Sequence, residues 1–492
     1  MGRLFRRFVS RVTTPGEDLR DRVLHGGLWA TALNVTDRAL RIVYLVVLAR
    51  LLSPSAFGLL GIALVTKTVL STLSNPGIEP AFVQRTDANA ERYLDTIWVF
   101  YAVRGTVVAV AAFVLAPVVA SLFGAPGATP VVRAVGATEL LRGLVNPAVL
   151  SFRRDLEFHK QFAYTASGTA VEFAVAVGGA LLWGSVWALV AGIAASRTVR
   201  LLVSYLLSGY RPSVEFDAGA ARELLSFGKW IWATTLVVLL ATMGDDVVVG
   251  WALATAALGF YQVSFRLSNA PATEVTHVIS SVTVPAYAKI RDDPTALRTA
   301  YGRTLRVTSA VVVPMAAGVA LVAPAFVPVT MGSAWTPMVP AMQILAAAGL
   351  VRAVIGVGGA LFKGAGVPQW DFWTNAVRAA VIAVTIWPLT DGWGIAGAAA
   401  SVALGAVAAL PLWLVGTTAT SGLSVTAHAR SVLGPLAGTA AMAGPVIAVR
   451  QQTVIGLVAA IIVGIVVYTV TTATVYHFQS EDALTDLRSM SG

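Results

Sequence analysis

From residue 307 to residue 351 the chain passes through forty-five positions without one charged side chain, and residues 105–132, 173–196 and 453–476 are equally bare. A helix of roughly 20 apolar residues crosses a bilayer. In hydrocarbon, every backbone N–H and C=O must be bonded within the structure, so only helices or a closed barrel can span it. A barrel would show short alternating segments, and these runs do not alternate. The reading is an all-α polytopic membrane protein. Composition agrees: the 492 residues are 57% hydrophobic and 12% charged, against about 25% charged in soluble domains.

Hydropathy and turn signals place about fourteen spans. They cover roughly 25–49, 57–80, 96–123, 130–151, 162–184, 186–208, 228–252, 257–285, 303–329, 336–362, 371–390, 393–416, 431–449 and 453–477. The expected organisation is a basic cytoplasmic arm (1–24), a six-helix bundle (25–208), a cytoplasmic linker (209–227), a second six-helix bundle (228–416), two additional transmembrane helices (417–477) and a cytoplasmic tail (478–492). The arm lacks the unbroken apolar core of a cleavable signal. Either its Phe5, Phe8 and Val12 rest on lipid with Arg6, Arg7 and Arg11 at the headgroups, or it is a solvated tail.

Loop charge sets orientation. Arg85, Arg92, Arg153, Arg154, Lys160, Arg211, Arg222, Lys289, Arg291, Lys363 and Arg430 fall in even-numbered loops, on the side of the basic arm. Odd-numbered loops such as "FGAPGATP" and "MGSAWTP" are nearly bare. The positive-inside rule puts both termini in the cytoplasm. The expected location is the cytoplasmic (plasma) membrane.

Several function classes fall away. The chain has no cysteine, so disulfides, thiolate metal sites and palmitoyl anchors are excluded. The net charge of +10 is scattered over short loops, which argues against nucleic-acid binding. No loop is long enough to hold a soluble catalytic domain. No metal cluster, phosphate-cradling loop or nucleophile triad is present. Gly356, Gly358 and Gly359 lie in an apolar span and read as close helix packing. The chain is read as a non-enzyme without a cofactor. Trp335, Trp370, Trp373, Trp387 and Trp393 read as interfacial belt residues.

An internal echo links the halves. Ala49 to Ala63, "ARLLSPSAFGLLGIA", is matched faintly by Trp251 to Ser264, "WALATAALGFYQVS". Aligned on Gly58 and Gly259, Trp29 falls opposite Trp230 and Lys67 opposite Ser268. Spans one and two then match spans seven and eight, a parallel repeat of six-helix units. Such repeats recur in transporters; chance similarity of Ala/Val/Gly-rich helices is the other reading.

The stretch "RLLSPSAFGLLGIALVTKTVLSTLSNPGIEPAFVQR" resembles the second-helix signature of the polysaccharide transporter branch of the multidrug/oligosaccharidyl-lipid/polysaccharide (MOP) exporter superfamily. The carrying residues are Leu52-Ser53-Pro54-Ser55-Ala56-Phe57-Gly58 and Gly77-Ile78-Glu79-Pro80-Ala81-Phe82-Val83-Gln84-Arg85. Glu79-Pro80 departs from the small or apolar residues usual there. The resemblance implies two six-helix bundles around a central cavity, and movement of lipid-linked oligosaccharide across the cytoplasmic membrane by alternating access.

Charged groups inside the spans then matter, since each costs roughly 2.5–3.5 kcal/mol at a helix centre. Asn34, Asp37, Arg38 and Arg41 form one stripe in span one, and Lys67, Ser71, Ser74 and Asn75 another in span two. In span eight, Gln262, Arg266, Asn269, Thr273, His277 and Ser280 recur every three or four residues. Asp37 with Arg41, and Glu139 with Arg142, are spaced to neutralise each other, which would make them packing devices. Basic groups nevertheless outnumber acidic ones, and an anionic ligand would balance them. Arg suits phosphate because its planar fork binds two oxygens.

The candidate substrate-binding residues are therefore Asn34, Arg38, Arg41, Lys67, Arg142, Arg266, Asn269, His277, Arg352 and Arg378. Asp37, Asp245, Asp246 and Glu274 are candidates for ion coupling, with H+ or Na+ as the ion; Asp245 or Asp246 pairing with Arg266 is the alternative. The expected substrate is a polyprenyl-(di)phosphate-linked oligosaccharide. The expected partners are membrane lipids and glycan-assembly enzymes, with the protein a monomer. A cation-coupled multidrug antiporter and a membrane-embedded glycosyltransferase or polymerase are the rival readings.

Overall fold

The computed structural model describes residues 41–75, 78–83, 92–154, 157–222, Thr235, Leu239 and 243–489. Among them, nine helical runs are long and apolar enough to cross a membrane. One of these, Gln369–Ser421, is two helices divided at Gly394. We number the helices α1 (41–51), α2 (Pro54–Leu73), α3 (Arg92–Leu122), α4 (Ala128–Gly143), α5 (Phe158–Trp183) and α6 (Val186–Leu207). There follow α7 (243–252), α8 (Thr255–Ile290), α9 (Pro294–Thr330) and α10 (Val339–Gly364). The divided run supplies α11 and α12, and α13 (Val425–Val449) and α14 (Val454–Ser489) complete the chain. The fourteen expected spans thus have fourteen helical counterparts. Of α1 and α7, the earlier parts lie outside the described residues.

Contacts divide the chain into two compact units, Met1–Met243 and Gly244–Gly492. Their internal pairings repeat. In the first unit α2 packs on α4, α3 on α4, α4 on α6 and α5 on α6. In the second, α8 packs on α10, α9 on α10 and α10 on the α11–α12 hairpin. The extra pair α13–α14 packs on α9.

Local chemistry explains the matching starts and turns. Ser53 caps α2, its side chain accepting from Ala56 N, and Pro54 occupies the first turn, where its missing N–H costs nothing. Gly58 is then the fifth helical residue of α2, and Gly259 the fifth of α8. The echo in the sequence is a shared helix register. A positive-φ glycine stands at each of two hairpin turns, with different ψ: Gly184 ends α5 at φ 56°, ψ 28°, and Gly394 separates α11 from α12 at φ 58°, ψ −138°. Both positions have a positive φ, which favours glycine. Across the turn at Gly394, Thr385 of α11 and Ser401 of α12 share a hydrogen bond of 2.7 Å.

Two expectations are corrected. The fourth span does not run to residue 151. Helix α4 ends at Gly143 because Pro147 cannot continue it and Asn146 turns the chain, its side chain accepting from Ala148 N to cap a short 3-10 turn. Trp335 is not a belt residue: it is 1% exposed and packs edge-on against Phe260. Trp373, Trp387 and Trp393 are exposed. The close-packing reading holds at Gly358, where a Cβ would collide with the Trp413 ring.

Candidate functional site

Each unit has its own cavity with charged and polar side chains in its lining. In the second, Asn269, Thr273, Thr276, Ser280, Arg352 and Arg378 line about 530 Å³. Helix α8 reaches this cavity with one polar face and holds its scaffold with another. Ser264 Oγ donates to Met338 O at 3.2 Å and Ser268 Oγ to Met342 O at 2.7 Å, stapling α8 to the start of α10. Turned away from those serines, Asn269 accepts a 3.0 Å hydrogen bond from Arg352 Nη1 on α10. The Arg352 guanidinium also stands 5.6 Å from the centre of the Phe265 ring. The contact fixes its plane and costs no charge. Arg378, on α11, is near enough to Arg352 for the two to repel.

Three described carboxylates of this unit stand off the cavity wall. Asp245 is buried on α7 and accepts a 2.7 Å hydrogen bond from the fully buried Tyr261 hydroxyl. Its charge also draws Arg352. Asp246 instead faces Arg266 and Gln262. Asp371 pairs with Lys363 at 3.2 Å. None of the three is among the residues lining the cavity.

The first unit differs. Its cavity of about 230 Å³ is lined by Arg104, Arg142, Arg197 and Arg200, but also by Glu79 and Glu139. Helices α3 and α4 approach at backbone distance here: a Cβ on Gly105 would stand 2.6 Å from Glu139 O, and one on Gly143 2.5 Å from Tyr101 O. That approach brings Arg104 and Glu139 to one wall. Arg104 donates to Ser71 O at 2.7 Å, Ser71 Oγ at 2.6 Å and Ser74 Oγ at 3.2 Å. It therefore satisfies carbonyl and hydroxyl groups at the end of α2. Glu139, 1% exposed, accepts from Arg142 at 3.3 Å. The spacing of Glu139 and Arg142 in the sequence does mark an ion pair.

The candidate residues thus separate into groups. Asn269, Arg352 and Arg378 meet in one cavity. Arg142 lines the other, with Lys67 half-buried on α2 within the field of Glu139. Arg41 is exposed on α1, and Arg266 is exposed on α8 outside the cavity lining. Asn34, Asp37 and Arg38 lie outside the described residues, as do the side chains of Glu274 and His277. Arg197 and Arg200 on α6 escaped the sequence reading. Their signal was present: two arginines three residues apart in the apolar run "GIAASRTVRLLVS", in the middle of the span expected over 186–208.

An all-helical, multi-pass chain with polar cavities inside apolar helix bundles has the architecture of a membrane transporter. Superposition on a structure of the lipid II flippase MurJ in an inward closed conformation gives a TM-score of 0.76, over 92% of this chain and 99% of that one, at 12% identity. Residues 47–340 match the family model described as polysaccharide biosynthesis protein, and the chain belongs to that family. Curated relatives include the lipopolysaccharide biosynthesis protein WzxC of Escherichia coli (strain K12), 29% identical over 68% of each chain. The succinoglycan biosynthesis transport protein ExoT of Rhizobium meliloti (strain 1021) is 26% identical over 71% of each. The resemblance to the MOP exporters carried by the second-helix motif is borne out.

Proposed function

We propose that the protein flips a polyprenyl-(di)phosphate-linked oligosaccharide across the cytoplasmic membrane by alternating access, for surface polysaccharide or glycoprotein glycan assembly. One observation carries the substrate's charge. Arg352 and Arg378 repel each other across a cavity whose lining includes no carboxylate among the described residues. Two guanidinium groups lining one cavity are stabilised by a shared anion, and their planar forks match phosphate oxygens. Asn269, Thr273 and Ser280 add the amide and hydroxyl groups that sugars or phosphate oxygens need. Arg38, Arg41, Asn34, Lys67, Arg142, Arg266 and His277 remain part of the proposed path. Asp245 and Asp246, with Asp37 and Glu274, are the proposed sites for a coupling H+ or Na+.

A cation exporter would want acidic walls in this cavity. A glycosyltransferase would need reacting carboxylates at a membrane face. Names of relatives such as a polysaccharide transport protein and a lipid II flippase support movement of a glycolipid.

The test is transfer of a fluorescent polyprenyl-diphosphate oligosaccharide between leaflets of liposomes holding the purified protein. Transfer is expected. Export of cationic dyes without glycolipid transfer would overturn the reading. The proposed orientation, both termini cytoplasmic, is tested with single cysteines: one replacing Ser333 should label from outside, one replacing Asp293 only after permeabilisation.

A further inference from the structure

The cavity of the first unit is not a smaller copy of the second, and its lining points to a different ligand group. We propose that it binds a carboxylate-bearing sugar, a uronic acid residue of the transported glycan; this rests on the reading of the protein as a glycolipid flippase. Donors and acceptors in the lining distinguish one anion from another. Four arginines and two glutamates in the lining leave a formal charge of +2, so the cavity calls for an anion. A phosphate would bring only negative oxygens, and Glu79 and Glu139 would repel them. A sugar acid carries both partners: its carboxylate accepts from arginine, and its hydroxyls donate to glutamate. Tyr101, Tyr164, Gln161 and Asn146 line the same space, supplying amphipathic rings and amides that serve hydroxyl groups in either sense.

The arginines divide by what already holds them. Arg104 is spent on Ser71 and Ser74, and Arg142 on Glu139. Those two shape the wall. On α6 the situation is opposite. Arg197 makes no hydrogen bond or ion pair with the described residues, and the buried Arg200 Nε has no partner among them. Among the described residues, Arg200 donates one hydrogen bond, to Thr169 Oγ1 at 3.4 Å, and its side chain lies against Gly168. Unmatched guanidinium donors inside a membrane protein are costly, and a carboxylate taken by both would satisfy them.

Purified full-length protein should be titrated, by ligand-observed NMR, with a disaccharide ending in glucuronic acid, its neutral glucose counterpart and inorganic phosphate. The acidic disaccharide is expected to bind about tenfold more tightly than the neutral one, the change that follows from one charged hydrogen bond. Equal phosphate should not displace it. Arg197→Gln and Arg200→Gln should each remove most of the preference, and Arg197→Lys should restore part. Arg133→Gln should leave it intact, since Arg133 lies over the Phe113 ring outside this cavity. Equal affinity for the two sugars, displacement by phosphate, absence of binding, or an unchanged preference in Arg197→Gln would each overturn the proposal. Should the arginine variants fail to fold, the comparison of the three probes on the wild-type protein still decides. Glycolipid transfer without acid-selective binding would sink this site and leave the flippase reading standing; selective binding without transfer would do the reverse.

Discussion

The two units pair their helices in the same order, yet one cavity is built from opposed charges and the other from like ones. In the first, Glu139 sits among the fields of Arg142, Lys67, Arg197 and Arg104, so part of the positive charge is neutralised within the wall. In the second, Arg352 and Arg378 repel each other, and the nearest carboxylates among the described residues are held by Tyr261 and Lys363. A shared scaffold therefore leaves chemistry free to vary: helix pairing depends on small residues and backbone approach, whereas ligand preference depends on a few side chains per helix.

The largest effect should come from the second cavity. Arg352→Gln removes a charge whose hydrogen bonds are worth about 1.5–3 kcal/mol each to an anion. Glycolipid transfer should fall by about tenfold to a hundredfold, with folding near normal because Asn269 retains its bond to Phe265 O. Arg352→Lys should recover only part, since a point charge replaces a two-pronged donor. Wild-type transfer in Arg352→Gln would remove the charge argument from this unit.

In the first unit the same kind of change should act on stability. Glu139→Gln would strip the buried counter-charge from Arg142 and its neighbours. Glu139 is buried but Arg142 is 41% exposed, so the cost lies between that of an exposed and a fully buried pair, about 1–2 kcal/mol, seen as a loss of thermal stability in the purified protein. Its counterpart in the second unit is Asp371→Asn, whose partner Lys363 is 58% exposed. That exposed pair should contribute under about 1 kcal/mol. If the two variants melted alike, the contrast between a self-neutralised and an unneutralised cavity would fail.

The sequence was most informative where a physical rule has one outcome. Charge-free runs must be helices in a bilayer, and the Ser53-Pro54 cap with Gly58 four residues on gave α2 its register. Arg352, Arg378 and Asn269 were legible because polar groups in an apolar span must face something other than lipid. Partnership was less legible. Arg266 and Arg352 look equivalent in the sequence, but only Arg352 turns into the cavity, held by Asn269 and Phe265. Arg197 and Arg200, inside the span expected over 186–208, were passed over because spacing along one helix does not reveal that α6 packs on α4 and α5. Trp335 reads as interfacial from its place near a turn, and tertiary packing buries it.

The smallest expected effect probes the face of α8 that the cavity does not use. Lys67 of the first unit and Ser268 of the second hold the same register in the repeat, but Lys67 meets the field of a carboxylate while Ser268 donates to a backbone carbonyl. Ser268→Ala removes that donor without stranding a buried charge. The Met342 carbonyl is inside α10 and keeps its helical partner, so no acceptor is orphaned. The loss should be about 1 kcal/mol, a small shift in thermal unfolding with glycolipid transfer unchanged. A variant that melted like wild type but lost transfer would show that the buried face of α8, and not only its Asn269 face, takes part in moving the substrate.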